Sequence, residues 1–105
     1  MSNYYLTNEA VQDLSNIWFY TVDTWSEEQA DRYYEMLLNS CSNIADNPNV
    51  GKNYPKINKD LFGFRVNRHI IFYRVITPIK IEVTRILHEQ MDLVNRFLGE
   101  KPSLA

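Results

Sequence analysis

The sequence predicts an α+β fold in which a helical hairpin packs on an antiparallel sheet. Apolar residues recur with the 3.6-residue period of helices over residues 8–46. Over residues 61–88 they alternate with polar residues, which is the period of strands. The chain has 105 residues, 45% of them hydrophobic, so it suits one domain around one core, which we assign to residues 1–105.

The first strand is predicted over residues 1–6, where an apolar run precedes Thr7. A threonine here can cap a helix, because its hydroxyl accepts a hydrogen bond from a free backbone N–H. The residues that follow carry a stripe with helical spacing, formed by Ala10, Leu14, Ile17 and Thr21. Trp18 and Trp25 lie seven residues apart on one face of this helix, and we expect both to pack in the core.

A second helix begins at the capping-box pattern of Ser26 and Gln29. Its apolar stripe consists of Ala30, Tyr34, Leu37, Cys41 and Ile44. The helix should end before Pro48, because the residue before a proline resists the helical conformation. The two helices therefore form a hairpin over residues 8–46.

Residues 49–60 show little apolar patterning and are interpreted as a surface connection. Alternation then defines three segments, Phe62 to Val66, Ile71 to Val75 and Ile79 to Val83. Turn residues at Asn67 and Pro78 separate them, which predicts a three-stranded antiparallel meander over residues 61–88. A short helix is predicted over residues 89–98.

Arg85 breaks the pattern of the last strand, since it falls at an apolar position of the alternation. This break predicts a β-bulge or a functional side chain. A guanidinium in such a place needs a carboxylate or several carbonyls, so Arg85 is either a structural clamp, with Asp92 as a candidate acceptor, or part of a binding surface. His88 is interpreted as a histidine that ends the strand and bonds nearby backbone.

Charge divides the chain into two unlike halves. Residues 1–51 contain eight acidic residues and one basic residue, whereas residues 52–88 contain eight basic residues and two acidic ones. This asymmetry indicates either a basic surface for an acidic partner or attraction between two packed layers.

Several classes of protein are not expected. The N-terminus lacks the basic and apolar regions of a secretory signal, and no run of about 18 apolar residues is present, so we expect a cytoplasmic protein with no membrane partner. Cys41, the single cysteine, lies in an apolar stripe and is interpreted as a small buried hydrophobe. No glycine-rich phosphate loop or metal-ligand spacing occurs, so no cofactor or metal is expected.

Four blocks of the sequence resemble the RelE/ParE toxin superfamily, and most closely its ParE branch. Residues 14–21 (LSNIWFYT) and 25–30 (WSEEQA) resemble the ParE helical hairpin, with its D-L-x-x-I-x-x-Y and W-x-x-x-Q-A patterns. Residues 46–51 (DNPNVG) are similar to its N-P-x-x-G helix end. Residues 68–75 (RHIIFYRV) resemble its central strand, and residues 85–92 (RILHEQMD) its closing R-x-L-H-x-x-M-D.

The resemblance implies a β-α-α-β-β-β order with a short C-terminal helix. It also implies the toxin component of a bacterial type II toxin–antitoxin module of the ParDE, plasmid-stabilisation kind. Such a toxin would inhibit DNA gyrase by binding the protein, and a ParD-like antitoxin would neutralise it. No direct sequence-specific binding of nucleic acid is expected.

Candidate residues for binding the antitoxin or the target lie in the basic half of the chain and the terminal helix. They are Arg65, Arg68, Arg74, Arg85, His88 and Met91.

Two alternatives remain open. The first is a ribosome-dependent mRNA endonuclease of the RelE branch, with Arg65, His69, Arg85 and His88 as the catalytic set. It is disfavoured because Ile70 and Glu89 stand where those nucleases carry basic residues, and because the pI of about 5.6 gives little attraction for phosphate. The second is a degenerate, non-toxic module that only binds its antitoxin.

Overall fold

A computed structural model describes residues 2–90. The elements follow the predicted order with one added strand, β2: β1 (Asn3–Leu6), α1 (Asn8–Thr24), α2 (Glu27–Asp46), β2 (Lys52–Asn53), β3 (Phe62–Val66), β4 (His69–Thr77) and β5 (Lys80–His88), with a 3₁₀ turn at Pro48–Val50. The helix predicted over residues 89–98 extends outside the described residues.

Both predicted helix starts are capped by side chains. The hydroxyl of Thr7 accepts a hydrogen bond from the Ala10 N–H at 3.1 Å, and the hydroxyl of Ser26 accepts one from the Gln29 N–H at 3.1 Å. Such bonds satisfy backbone donors that have no partner within the helix, so the local sequence alone specifies where α1 and α2 begin.

No helix within residues 2–90 has the length and apolar character needed to cross a membrane.

The sheet has five strands in the order β1-β5-β4-β3-β2. The predicted meander forms its centre, where β3 and β5 each run antiparallel to β4. Two features differ from the predicted antiparallel sheet. β1 pairs with β5 in parallel, and β2 adds a fifth strand from a segment that we expected to be a plain loop. Neither feature can be predicted from a local pattern, because β2 has only two residues and β1 pairs with a strand from the far end of the chain.

The helical hairpin covers one face of the sheet and buries the main core with it. The buried residues are Ala10, Leu14, Leu37, Cys41, Ile44 and Ala45 from the helices, and Ile71, Tyr73, Ile81, Val83 and Ile86 from the sheet. Burial raises the pKa of the Cys41 thiol to about 12, in keeping with its interpretation as a buried hydrophobe. The predicted core position of Tyr34 is wrong, because this residue is 37% exposed and Tyr33 packs against the core instead.

The opposite face of the sheet is covered by the connection after β2. Tyr54 and Ile57 pack there on a second cluster formed by Leu61, Ile70, Phe72 and Leu87. Gly63 lies beneath Tyr54, and a Cβ at this glycine would stand 2.8 Å from the tyrosine ring. The connection therefore closes one side of the sheet.

Candidate functional site

The strand β5 changes its outer neighbour halfway along. β1 pairs with Lys80 to Val83 and then ends, because Thr7 turns the chain into α1. At this point the Thr7 N–H donates to the Val83 carbonyl at 3.0 Å, and the Thr7 hydroxyl donates to the Thr84 carbonyl at 2.8 Å. Beyond Thr84, and among residues 2–90, the outer edge of β5 faces the helix α1 and has no strand beside it.

A β-bulge lies at the same place. Tyr73 pairs with Val83 and Phe72 pairs with Arg85, so Thr84 is the extra residue. Its hydroxyl donates to the Phe72 carbonyl at 3.2 Å. Because a bulge shifts the alternation of a strand, it explains why Arg85 interrupts the sequence pattern, and the prediction of a bulge is confirmed.

Arg85 binds Asp13 of α1 in a two-pronged ion pair. Its Nε donates to Asp13 Oδ2 at 2.8 Å, and its Nη2 donates to Oδ1 at 3.0 Å. The Ile86 N–H also donates to Oδ2, at 3.0 Å. Asp13 is only 8% exposed, so the carboxylate depends on these donors to be stable in the interior. The predicted clamp role of Arg85 is confirmed with Asp13 as an acceptor, and Asp92 lies outside the described residues.

Asp13 is a residue whose role the sequence interpretation missed. It lies three residues after Ala10 and four before Ile17, and therefore on the apolar stripe of α1. A carboxylate on an apolar stripe requires a partner when it is buried, and this was the available signal. Which cation would meet it could not be inferred, since Arg85 is 72 residues away in the chain.

Two clefts lie along the open edge of β5. The first, of about 480 Å³, is lined by Asp13, Asn16, Ile17, Tyr20, His69, Ile86, Leu87, His88 and Gln90. The second, of about 540 Å³, shares Tyr20, His69, His88 and Gln90 with the first and extends to Trp25, Tyr33 and Arg68. Because they share these residues, we treat them as one continuous feature and call it the β5 groove. It runs between α1 and the last residues of β5.

Exposed aromatic rings border the β5 groove on its helical side. Tyr20 is 69% exposed and Trp25 is 68% exposed. The expectation that Trp25 packs in the core is wrong, because this residue follows the last turn of α1 as its C-cap and stays exposed. Trp18 is partly buried and donates its Nε1–H to Asp31 at 2.9 Å.

His69 and His88 lie opposite each other on β4 and β5, with ring centroids 5.3 Å apart. Nδ1 of His69 is hydrogen-bonded to the Tyr33 hydroxyl at 2.7 Å, and Nδ1 of His88 accepts from the Gln90 N–H at 3.1 Å. Burial, reinforced by the neighbouring His88, lowers the pKa of His69 to about 4, against the opposite influence of Asp13 and Glu89. His69 is therefore neutral at pH 7.

The set proposed for the nuclease alternative is only partly assembled. His69 and His88 are neighbours, but both arginines are held in ion pairs. Arg65 binds Glu89 at 2.7 Å, and Arg85 binds Asp13. Stabilising the charge that develops on a phosphate requires cations aimed at it, and these two guanidinium groups are aimed at carboxylates.

Within residues 2–90, the structure places the predicted binding residues in different parts of the sheet. Arg68 and His88 line the β5 groove, whereas Arg85 is half-buried in its clamp. Arg74 lies toward the other end of β4, where it pairs with Glu82 at 3.3 Å. Met91 lies outside the described residues.

Comparison with known proteins identifies what this chain is similar to. A family model described as "ParE toxin of type II toxin-antitoxin system, parDE" matches residues 4–93. Toxin ParE1 of Mycobacterium tuberculosis (strain CDC 1551 / Oshkosh) is 35% identical over 94 residues, which are 89% of this chain and 96% of the relative. Toxin ParE1 of Caulobacter vibrioides is 32% identical over 92 residues, 88% of this chain and 94% of the relative.

A solved structure shares the fold. It is described as "Chromosomal ParDE TA system from P. aeruginosa" and superimposes with a TM-score of 0.72, covering 84% of this chain and 96% of that chain. The two sequences are 19% identical, so this likeness concerns the fold.

Proposed function

Because the chain belongs to the ParE family, the toxins of type II ParDE toxin–antitoxin systems, we propose that it inhibits DNA gyrase by binding it and that a ParD-like antitoxin neutralises it. The observation that carries the proposal is the match over residues 4–93, which includes all the strands and helices described above except the first residue of β1. Gyrase as the target implies action in the cytoplasm, and a role in plasmid stabilisation belongs to the same proposal.

The geometry of the site favours binding over catalysis. Cleavage of RNA at a ribose hydroxyl needs a base that can take a proton and a free cation near the phosphate. Nδ1 of His88 accepts from the Gln90 N–H, so in its neutral form the ring carries its proton on Nε2 and has no nitrogen left to take another. Nδ1 of His69 is hydrogen-bonded to the Tyr33 hydroxyl. Exposed aromatic rings beside a groove, in contrast, are common in protein interfaces.

Two assays on the purified protein test the proposal. We expect the protein to slow supercoiling by gyrase and to leave ribosome-bound mRNA uncut. His88→Ala, shown by circular dichroism to be folded, should retain most of the inhibition, because no proton transfer is involved. Cleavage of mRNA by the wild type that this variant abolishes would place the chain among the nucleases and contradict the proposal.

Growth experiments test the neutralisation. Induced expression of the chain alone should stop growth, and coexpression of the product of the neighbouring gene should restore it. A chain that binds this product but inhibits neither gyrase nor growth would be a degenerate module, and the toxin proposal would then be wrong.

A further inference from the structure

The two edges of the sheet differ in how they are protected from pairing with another chain. The sheet ends at β2 on one side and at β1 on the other. β2 has only two residues, carries Lys52 and is followed closely by Pro55, and short length, lysine and proline all discourage the pairing of an edge strand. β1 has four residues, Asn-Tyr-Tyr-Leu, and none of them is charged or a proline. The edge of β1 therefore lacks this protection.

Half of the backbone groups of β1 point outward from the sheet. The N–H groups of Asn3 and Thr7 donate to β5 at 2.8 and 3.0 Å. Because backbone groups alternate in direction along a strand, those of Tyr5 also face β5, and those of Tyr4 and Leu6 face the outer edge. Within residues 2–90, no strand lies beside this edge and no backbone hydrogen bond reaches Tyr4 or Leu6 from that side. The edge therefore offers donors and acceptors to an added strand.

Apolar side chains are exposed beside the same edge. Ile79 is 54% exposed, and its carbonyl accepts the bond from the Asn3 N–H where β1 begins. Val75 and Ile76 of the same β4–β5 hairpin are also exposed, as is Tyr5 of β1. A group of exposed apolar side chains on the surface of a domain commonly marks an interaction site. Apolar contact area thus continues the open backbone edge.

The charges near the edge indicate an uncharged occupant. The Lys80 ammonium lies over the Tyr5 ring, 5.0 Å from its centroid, while Glu82 accepts from the Tyr5 hydroxyl at 2.8 Å and pairs with Arg74. These charges are engaged within the chain, and β1 itself carries none, so the edge gives little attraction to an acidic peptide or to a phosphate backbone. An uncharged, apolar strand fits it better, and β1 of a second copy is such a strand.

Two copies of β1 are complementary to each other about a twofold axis. In an antiparallel pair centred on Tyr5, Tyr4 of each copy faces Leu6 of the other, so every outward N–H and C=O of these residues finds a partner. The two Tyr5 side chains lie directly opposite each other with Cβ atoms about 5 Å apart, and aromatic pairs in this position stabilise a sheet. Like charges do not meet across the axis, because β1 is uncharged.

We propose that the chain forms a symmetric homodimer through its β1 edges, in which the two sheets join into one continuous sheet. The exposed side chains of the β4–β5 hairpin enlarge the contact at both ends of the paired strands. The contact is smaller than a standard interface, so its Kd is on the order of 10 μM. The dimer does not depend on which protein the chain inhibits.

Sedimentation velocity of the purified chain, from well below to well above this Kd, tests the dimer. The mean mass should rise from 12.5 kDa toward twice that value. Tyr5→Lys keeps Glu82 as a partner but places two like charges opposite each other, and should raise the Kd about tenfold or more. Phe19→Lys adds the same charge at an exposed ring of α1 and should leave the Kd unchanged. A wild type that stays monomeric, or equal weakening by both variants with folding confirmed by circular dichroism, contradicts the proposal.

Disulfide cross-linking tests the register. Tyr5→Cys places two thiols opposite each other, and mild oxidation should join the copies, because the Cβ atoms lie near the distance of about 4 Å that a disulfide needs. Asn3→Cys, on the same face of β1, places the thiols more than about 13 Å apart and should cross-link about tenfold more slowly. Cys41 is buried and does not compete. Equal rates for the two variants would reflect random collision and refute the paired register.

Amide hydrogen exchange distinguishes a second copy from any other occupant. The Tyr4 and Leu6 amides should exchange about tenfold more slowly at high than at low protein concentration, whereas the Tyr5 amide, which faces β5 in each copy, should change little. Protection of Tyr4 and Leu6 that is independent of concentration would mean that another part of the same chain occupies the edge, and the proposal would be wrong. Dimerisation without protection of these amides would place the contact elsewhere and would equally refute it.

Discussion

The two halves of β5 are completed in different ways. From Lys80 to Val83 the strand pairs with the backbone of β1. From Arg85 to His88 it has no strand on that side within the described chain, and the carboxylate of Asp13 takes the Ile86 N–H instead. A neighbouring strand satisfies every outward backbone group, whereas one side chain satisfies only those it can reach. In the second half, the outward N–H of Ile86 is therefore bonded to a side chain, and the part of the edge that follows it borders the groove.

Buried polar rings on β4 show the same difference. The Tyr73 hydroxyl donates to the Pro48 carbonyl at 2.6 Å and accepts from the Gly51 N–H at 2.9 Å. This pair of backbone contacts does not change with pH near neutrality. Four residues earlier, His69 is bonded to Tyr33, and its own charge depends on pH. The polar ring that lies beside the groove is thus hydrogen-bonded to another side chain, whereas the ring of Tyr73 is hydrogen-bonded to backbone groups.

The largest expected effect is on the free energy of unfolding, and it appears when the ion pair of Arg85 is compared with that of Arg74. Arg85→Ala leaves the Asp13 carboxylate buried without its cation and should lower the free energy of unfolding by about 3–5 kcal/mol. Arg74→Ala, on β4, removes the ion pair with Glu82 of the first half, in which the arginine side chain is 47% exposed, and should cost less than about 1 kcal/mol. Urea unfolding of both variants gives the two values. Equal losses would mean that the halves do not differ in this way.

A second measurement uses pH to find the contribution of His69. Its pKa is about 4 in the folded state, below the ordinary value near 6.5, so the unfolded state binds more protons between these values. Stability should be fully present above pH 6.5 and fall as pH is lowered toward 4, by about 2 kcal/mol after allowance for partial exposure.

The control for this measurement is His69→Gln, which does not titrate and keeps an acceptor for Tyr33. The difference between wild type and variant isolates His69 from carboxyl groups that titrate at similar pH. Urea unfolding at pH 7.5, 5.5 and 4.5 should show a flatter dependence for the variant. Parallel curves would show that protonation of His69 is not linked to folding.

A third and smaller effect than those of Arg85 and His69 is expected at the junction of the two halves. Thr7→Ala removes the cap of α1 and the bond to the Thr84 carbonyl, and should cost about 1 kcal/mol. Thr7→Ser keeps a hydroxyl and should cost much less. Thermal unfolding compares them, and an equal loss in both variants would indicate that the methyl group of Thr7, not its hydroxyl, is what matters.

Much of the fold could be predicted because its signals are local. Thr7 and Ser26 begin the helices by bonding N–H groups three residues away. The change of period from 3.6 to 2 distinguishes the hairpin from the meander, since each reflects which side chains face the core. The break at Arg85 revealed the bulge for the same reason. The four sequence blocks likewise identified the family that the comparisons show.

The remaining features depend on contacts between distant segments. The parallel pairing of β1 with β5, the pairing of Asp13 with Arg85 and the contact of Tyr33 with His69 each join residues at least 36 positions apart. No periodicity specifies such a partner, because it is set by how the hairpin packs on the sheet. The grouping of basic residues in residues 52–88 of the sequence likewise does not show whether their side chains share one surface.

By itself, the sequence determined every described helix and strand except β2, together with their order, the family and the position of the bulge, because capping, alternation and short motifs act over a few residues. The tertiary structure decided that β1 pairs with β5 only as far as Leu6 and Val83, and that the Asp13 carboxylate accepts from the Ile86 N–H farther along the same edge. It also decided that Tyr20 and Trp25 remain exposed beside the groove. The physical reason is that a groove exists only where packed elements fail to meet, and this depends on their lengths and angles together.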